Sequence, residues 1–176
     1  MKELKLETNI LGYYQLIGGL LGFYIVAAGT YQSLSNNNPL SFLLLATSIP
    51  FLFSCYTGIL CIQQKKPFIL FSKINQLLQL VSVGLAGLTY TYCAGFFIHV
   101  GFNITESFQL LFNFGTSTLN IMIDSEGTQH FLLINLVAFI ILRRLQLLEE
   151  RIAEMEGTTA EEDTPTGNEQ VLDSPV

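Results

Sequence analysis

The feature that most narrows what this chain can fold into is the stretch at residues 74–98, INQLLQLVSVGLAGLTYTYCAGFFI, which runs 25 residues without a charged side chain. A helix crosses the roughly 30 Å hydrocarbon core of a bilayer with about 20 mostly apolar residues. The stretch meets that length and leaves room for tilt. It also carries Asn75, Gln76, Gln79, Ser82, Tyr90 and Thr91, and a helix facing lipid on all sides would strand those polar groups. It should therefore be enclosed by other helices. The expectation is an all-α membrane protein, a four-helix transmembrane bundle with spans near residues 10–29, 40–62, 74–98 and 130–147.

Composition agrees with a membrane setting. Half of the 176 residues are apolar and 12% are charged, against about a quarter charged in soluble domains. The first span is apolar from residue 10 to 29 except for Gln15. A secretory leader normally has a shorter apolar core of about 7–15 residues, so a retained span is the better reading. Gln15, Gly18, Gly22, Val26 and Gly29 recur at steps of three and four and share one helix face. Gly18 and Gly22 have the spacing that lets a second backbone approach closely. Pro50 falls near the middle of the second span and predicts a kink there, with Thr47, Ser48, Ser54 and Thr57 bonding the freed carbonyls. Gln79 sits as far into the third span as Gln15 sits into the first, so the two amides are expected to meet. Gln15, Gly18, Gly22, Pro50 and Gln79 are the candidate helix-packing residues.

Between spans three and four, Phe108, Leu110, Phe112 and Phe114 alternate with Gln109, Leu111 and Asn113, as Leu119, Ile121 and Ile123 do with Asn120, Met122 and Asp124. With Gly115, Thr116 and Ser117 as a turn, this predicts a small exoplasmic β-hairpin, an amphipathic segment being the alternative. Asn103, Ile104 and Thr105 form a glycosylation sequon, read as a chance match. The fourth span is short before Arg143 and Arg144, whose side chains can snorkel. Beyond it Leu145, Leu148, Ile152 and Met155 continue a heptad seam with Ala138 and Ile141, which Gly157 should end. Those four are the candidate partner-helix residues. Residues 1–156 make one membrane domain, and 157–176 read as a disordered acidic tail.

All eight Lys and Arg flank one side of the four expected spans, and the loops at 30–39 and 99–130 have none. The positive-inside rule then puts both termini in the cytoplasm, in a cytoplasmic or plasma membrane. The partners expected are the lipid bilayer and either another protein or further copies of the chain; no basic face suits nucleic acid. The cysteines Cys55, Cys61 and Cys93 form no CxxC, and His99 and His130, with Asp124 or Glu126, lack metal-motif spacing. No catalytic, cofactor or metal-binding residue is identified, and no cofactor is expected. The expected function is a non-enzymatic interaction or assembly component of the membrane. An oligomeric channel lined by Gln15, Gln76, Gln79, Thr91 and Asn135 is the alternative, and a lipid-modifying enzyme the third.

Overall fold

The computed structural model describes residues 2–36, 45–65, 67–105, 107–123 and 130–162, with side chains in the last helix described as far as Met155. The chain is α+β. Among the described residues, helices α1 (Lys2–Ser35), α2 (Ile49–Ile62), α3 (Phe68–Leu80) and α4 (Leu136–Glu162) accompany four strands: β1 (Val81–Leu85), β2 (Leu88–Asn103), β3 (Gln109–Ile123) and β4 (Phe131–Asn135). The strands form one antiparallel sheet in the order β1-β4-β2-β3. This overturns the four-helix transmembrane bundle and the multi-pass reading drawn from it.

The physical reason lies in the stretch that suggested the bundle. Apolar content is the same for a buried strand and a buried helix. After Leu80 the residues are rich in β-branched and aromatic side chains, VSVGL and LTYTYCAGFFIHV, which fit a pleated surface. Between β1 and β2, Ala86 and Gly87 both take positive φ, 50° and 82°, as a two-residue hairpin turn requires. The expected third span is thus a 13-residue helix followed by a hairpin.

The expected hairpin at 108–123 is corrected as well. Its alternation is that of a strand, but Gly115, Thr116 and Ser117 lie inside β3 and make no turn; β3 runs on for 15 residues and pairs with β2. The fourth span opens as β4 and becomes helical only at Leu136. Helix α4 continues through Gly157 to Glu162 rather than stopping; residues 163–176 of the acidic tail lie outside the described residues. Pro50 does not kink a long helix. Ser48 is the N-cap of α2 and Pro50 stands in its first turn, where a missing N–H costs nothing. At 14 residues α2 is about 21 Å long, short of the hydrocarbon thickness.

One helix combines the required length with the required apolar composition. Helix α1 has 34 residues, about 50 Å, and is the one helix among the described residues long and apolar enough to cross a membrane.

The sheet is strongly bent. The start of β2 pairs with β1 (Val83 with Tyr90), its end pairs with β4 (Val100 with Ile134), and β1 pairs with β4 (Val81 with Ile134). All three pairings are antiparallel, which a straight β2 could not satisfy. The bend sits at a bulge between Cys93 and Phe96, where Gly95 takes φ +107°, a conformation glycine adopts without strain. Two apolar clusters flank the centre. One joins Leu60, Cys61, Phe68 and Leu148, with Leu4, Leu11 and Ile152 against it. The other joins Phe51, Tyr92 and Ala94, with Val26 and Leu119 against it.

Candidate functional site

The middle of the molecule is polar. Gln15, Ser54, Thr57, Ser72, Asn75 and Gln76 have no solvent exposure, and Gln79, Ser82, His99 and Asn135 have almost none. Helical periodicity puts them there: Ser72, Asn75, Gln76 and Gln79 follow three- and four-residue steps and form the inner face of α3. Ser54 and Thr57 do the same on α2.

Gln15 is the hub of this network. Its side-chain carbonyl accepts from Thr57 Oγ1 and, at 3.2 Å, from Asn75 Nδ2. Its amide nitrogen donates to Ser72 Oγ at 3.1 Å. Asn75 Nδ2 also donates to Ser54 Oγ at 3.1 Å, and that hydroxyl donates to the Gln15 backbone carbonyl at 3.1 Å. Asn75 Oδ1 accepts from the Tyr92 hydroxyl at 3.4 Å, which also reaches the Pro50 carbonyl at 2.7 Å. One residue from α1 is thereby tied to α2, α3 and the sheet.

Gln79 does not meet Gln15. Its carbonyl instead accepts the backbone N–H of Ala94 at 2.8 Å, a donor freed by the bulge in β2. Both polar side-chain atoms of Gln76 and the amide nitrogen of Gln79 are buried without a hydrogen-bond partner among the described residues. Gly18 packs directly on the bulge, where a methyl group would collide with the backbone of Ala94 and Gly95; Gly22 faces the Phe51 ring. The close approach expected of these glycines is thus made to the sheet and to α2. Ser117 Oγ closes the junction, accepting from Gly95 N at 3.0 Å and donating to the Gly18 carbonyl at 2.8 Å.

A second group, Cys93, His99, Ser82 and Asn135, was not singled out as a cluster from sequence. Cys93 Sγ lies 3.3 Å from His99 Nε2, Ser82 Oγ lies 3.5 Å from the same nitrogen, and Asn135 Nδ2 donates to Cys93 Sγ at 3.6 Å. Cysteine, histidine and asparagine resemble a nucleophile, a base and its orienter. The environment opposes that chemistry. Burial pushes the Cys93 thiol up to about 12 and pushes His99 below its ordinary range, so both groups are held neutral. Asn135 Oδ1 accepts from Val137 N at 3.1 Å and Ala138 N at 3.4 Å, at the start of α4. The signal for this cluster lay in strand pairing: His99 is opposite Asn135 in the β2–β4 register, which a helical reading could not expose.

The histidines do not converge. His99 is buried against Cys93, while the His130 backbone bonds Ile104 and Thr105. Among the described residues no group of three metal-ligating side chains occurs; Asp124 and Glu126 lie outside them. Asn103 of the sequon accepts from Thr105 N and Oγ1 at 2.8 and 2.6 Å.

The outside is apolar. Leu110 and Ile123 of β3 are 79% and 88% exposed, and Phe112, Phe114, Ile121 and Met122 are exposed with them. Strand β3 is the end strand of the sheet, and among the described residues nothing pairs its outer edge. Of the seam on α4, Ala138, Leu145 and Leu148 are buried, Ile152 is half-buried and packed on the helical cluster, and Met155 is exposed. No protein-family profile, curated protein or solved structure matches the chain.

Proposed function

We propose that the protein is a membrane-embedded, non-enzymatic assembly component that binds another protein by strand addition along β3. The observation that carries this reading is the outer edge of β3, unpaired among the described residues: 15 residues, QLLFNFGTSTLNIMI, with no charge, no proline and an apolar exposed surface. Sheet edges that must stay alone are usually short or interrupted by Lys or Pro. Strand addition satisfies the edge backbone and fills pockets between alternate side chains. The channel reading needs Gln15, Gln79 and Asn135 around a water path, whereas here they bond inside the packed centre.

The distribution of polarity supports the membrane setting. A core helix of a soluble protein is mostly buried, but only 28% of the most apolar window of α1 is buried. Leu6, Ile10, Ile17, Leu20, Leu21 and Ile25 are all exposed along it. The basic residues gather at one end: the first turn of α1 lies beside the second half of α4, where Glu7 pairs with Arg151 at 3.6 Å. We place that end among cytoplasmic headgroups.

The test is photo-crosslinking in the native membrane from a probe at Leu110 or Phe114, with the mass in mild detergent measured alongside. A discrete adduct from these positions, absent from a probe at Gln146 on α4, is expected. A monomer with no adduct would sink the proposal.

A further inference from the structure

We propose that the groove between α1 and α4 holds an acyl chain of one anionic phospholipid, with its phosphate on Arg144; this rests on the membrane reading of α1. The groove has a volume of about 470 Å³ and is walled by Ile10, Leu11, Tyr14, Val137, Ile141, Leu145 and Leu148. That volume falls within the usual range for small-ligand sites, and such sites pair apolar walls with a few placed polar groups. Two charged residues reach this one, Glu7 and Arg144. Glu7 is occupied by Arg151, so its carboxylate is already balanced. Arg144 makes no ion pair or hydrogen bond among the described residues, although its neighbour Arg143 donates to Gln146.

An apolar slot with one uncompensated cation calls for an amphiphile with an oily body and a negative head. The guanidinium fork matches phosphate oxygens in pairs. A zwitterionic lipid would bring its own cation to the same place and lose much of the attraction. The groove runs along α1, the helix long enough to cross a bilayer, so a lipid could enter it sideways without leaving the membrane.

The experiment uses the full chain purified in mild detergent. Phosphatidylglycerol and phosphatidylcholine with identical acyl chains are titrated in, and bound lipid is counted by native mass spectrometry. The expected result is one phosphatidylglycerol per chain, held about fivefold more tightly than phosphatidylcholine. Arg144→Gln should abolish that preference, and Arg143→Gln should keep it. Ile141→Phe, which fills the slot, should weaken both lipids. Equal retention of the two lipids, or a preference unchanged by Arg144→Gln, would overturn the site. Carbonate extraction of the same membranes separates the two ideas. Protein released from the membrane overturns both the membrane reading and the lipid site, whereas retained protein without lipid preference sinks the lipid site alone.

Discussion

The side chains of Gln15 and Asn75, 60 residues apart in the chain, meet at 3.2 Å in the interior, amide to amide. Around that contact, hydrogen-bonded and unbonded amides lie in the same buried layer, which permits a direct comparison. Replacing Gln15 with Met leaves Asn75, Thr57 and Ser72 short of partners. The expected loss is about 2–4 kcal/mol, since a stranded buried polar group costs about 1–3 kcal/mol. Gln76→Met removes an amide with no hydrogen-bond partner among the described residues and is expected to be neutral or stabilising. Thermal melts in one detergent would check the pair, and equal destabilisation by both would contradict the network described.

The junction of α1 with the sheet depends on the absence of side chains. At Gly18 a methyl group would strike backbone, and at Gly95 it would strike the Tyr14 ring while φ is +107°. Gly18→Ala and Gly95→Ala are each expected to lose at least about 2 kcal/mol, as overpacking and strain usually cost 1–3. Gly29 has nothing within 4 Å of an added methyl. Gly29→Ala should stabilise α1 by up to about 1 kcal/mol. Denaturant unfolding followed by circular dichroism would rank the three.

His99 makes stability depend on pH. Burial lowers its affinity for a proton in the folded state, whereas the unfolded chain titrates near about 6.5. Below that pH the unfolded state binds the extra proton, so stability falls as pH drops from about 6.5 toward the folded-state value. The steepest slope is about 1.4 kcal/mol per pH unit. Above about 7 the contribution is complete. Comparing melts of the wild type and His99→Gln at pH 7.5 and 5.5 should show the acid loss shrink in the variant.

The three cysteines should be unreactive until the protein unfolds. All are buried, and burial raises each thiol, Cys93 to about 12. Alkylation needs the thiolate. N-ethylmaleimide at pH 7.5 is expected to add no mass to folded protein and three adducts after denaturation. Rapid labelling of Cys93 in the folded state would show the interior to be open to solvent.

Some of this was legible in the residues. Helical steps put Gln15, Gly18, Gly22, Val26 and Gly29 on one face of α1; the first three are buried, Val26 is half-buried and Gly29 is exposed. The strand character around Phe108 and Ile121 was legible as period two. The turn assigned between those runs was not sound, because a glycine inside a strand can mark a close approach as readily as a reversal. Here Gly115 faces the Phe97 ring. After Leu80 the lack of charge suits a membrane helix and a buried strand equally, and the β-branched and aromatic content is what favours the strand. Pro50 differs from the expectation because a proline in an apolar run marks a helix start as readily as a kink, and here it stands in the first turn of α2. The Cys93–His99–Asn135 group could not be found at all without the strand register that brings its members together.

The way β4 closes the sheet has a consequence for synthesis. Its partner positions on β1 are made some 50 residues earlier, Ser82 bonding across to Leu133. Until the ribosome has released that last strand, β1 has its hairpin contact with β2 but no second neighbour. Contacts so distant along the chain form slowly. The nascent chain must therefore wait, partly assembled, with an open seam beside β1 until β4 has emerged. A ribosome stalled before residue 130 would display a fragment that cannot finish folding and is marked for chaperone or protease attention.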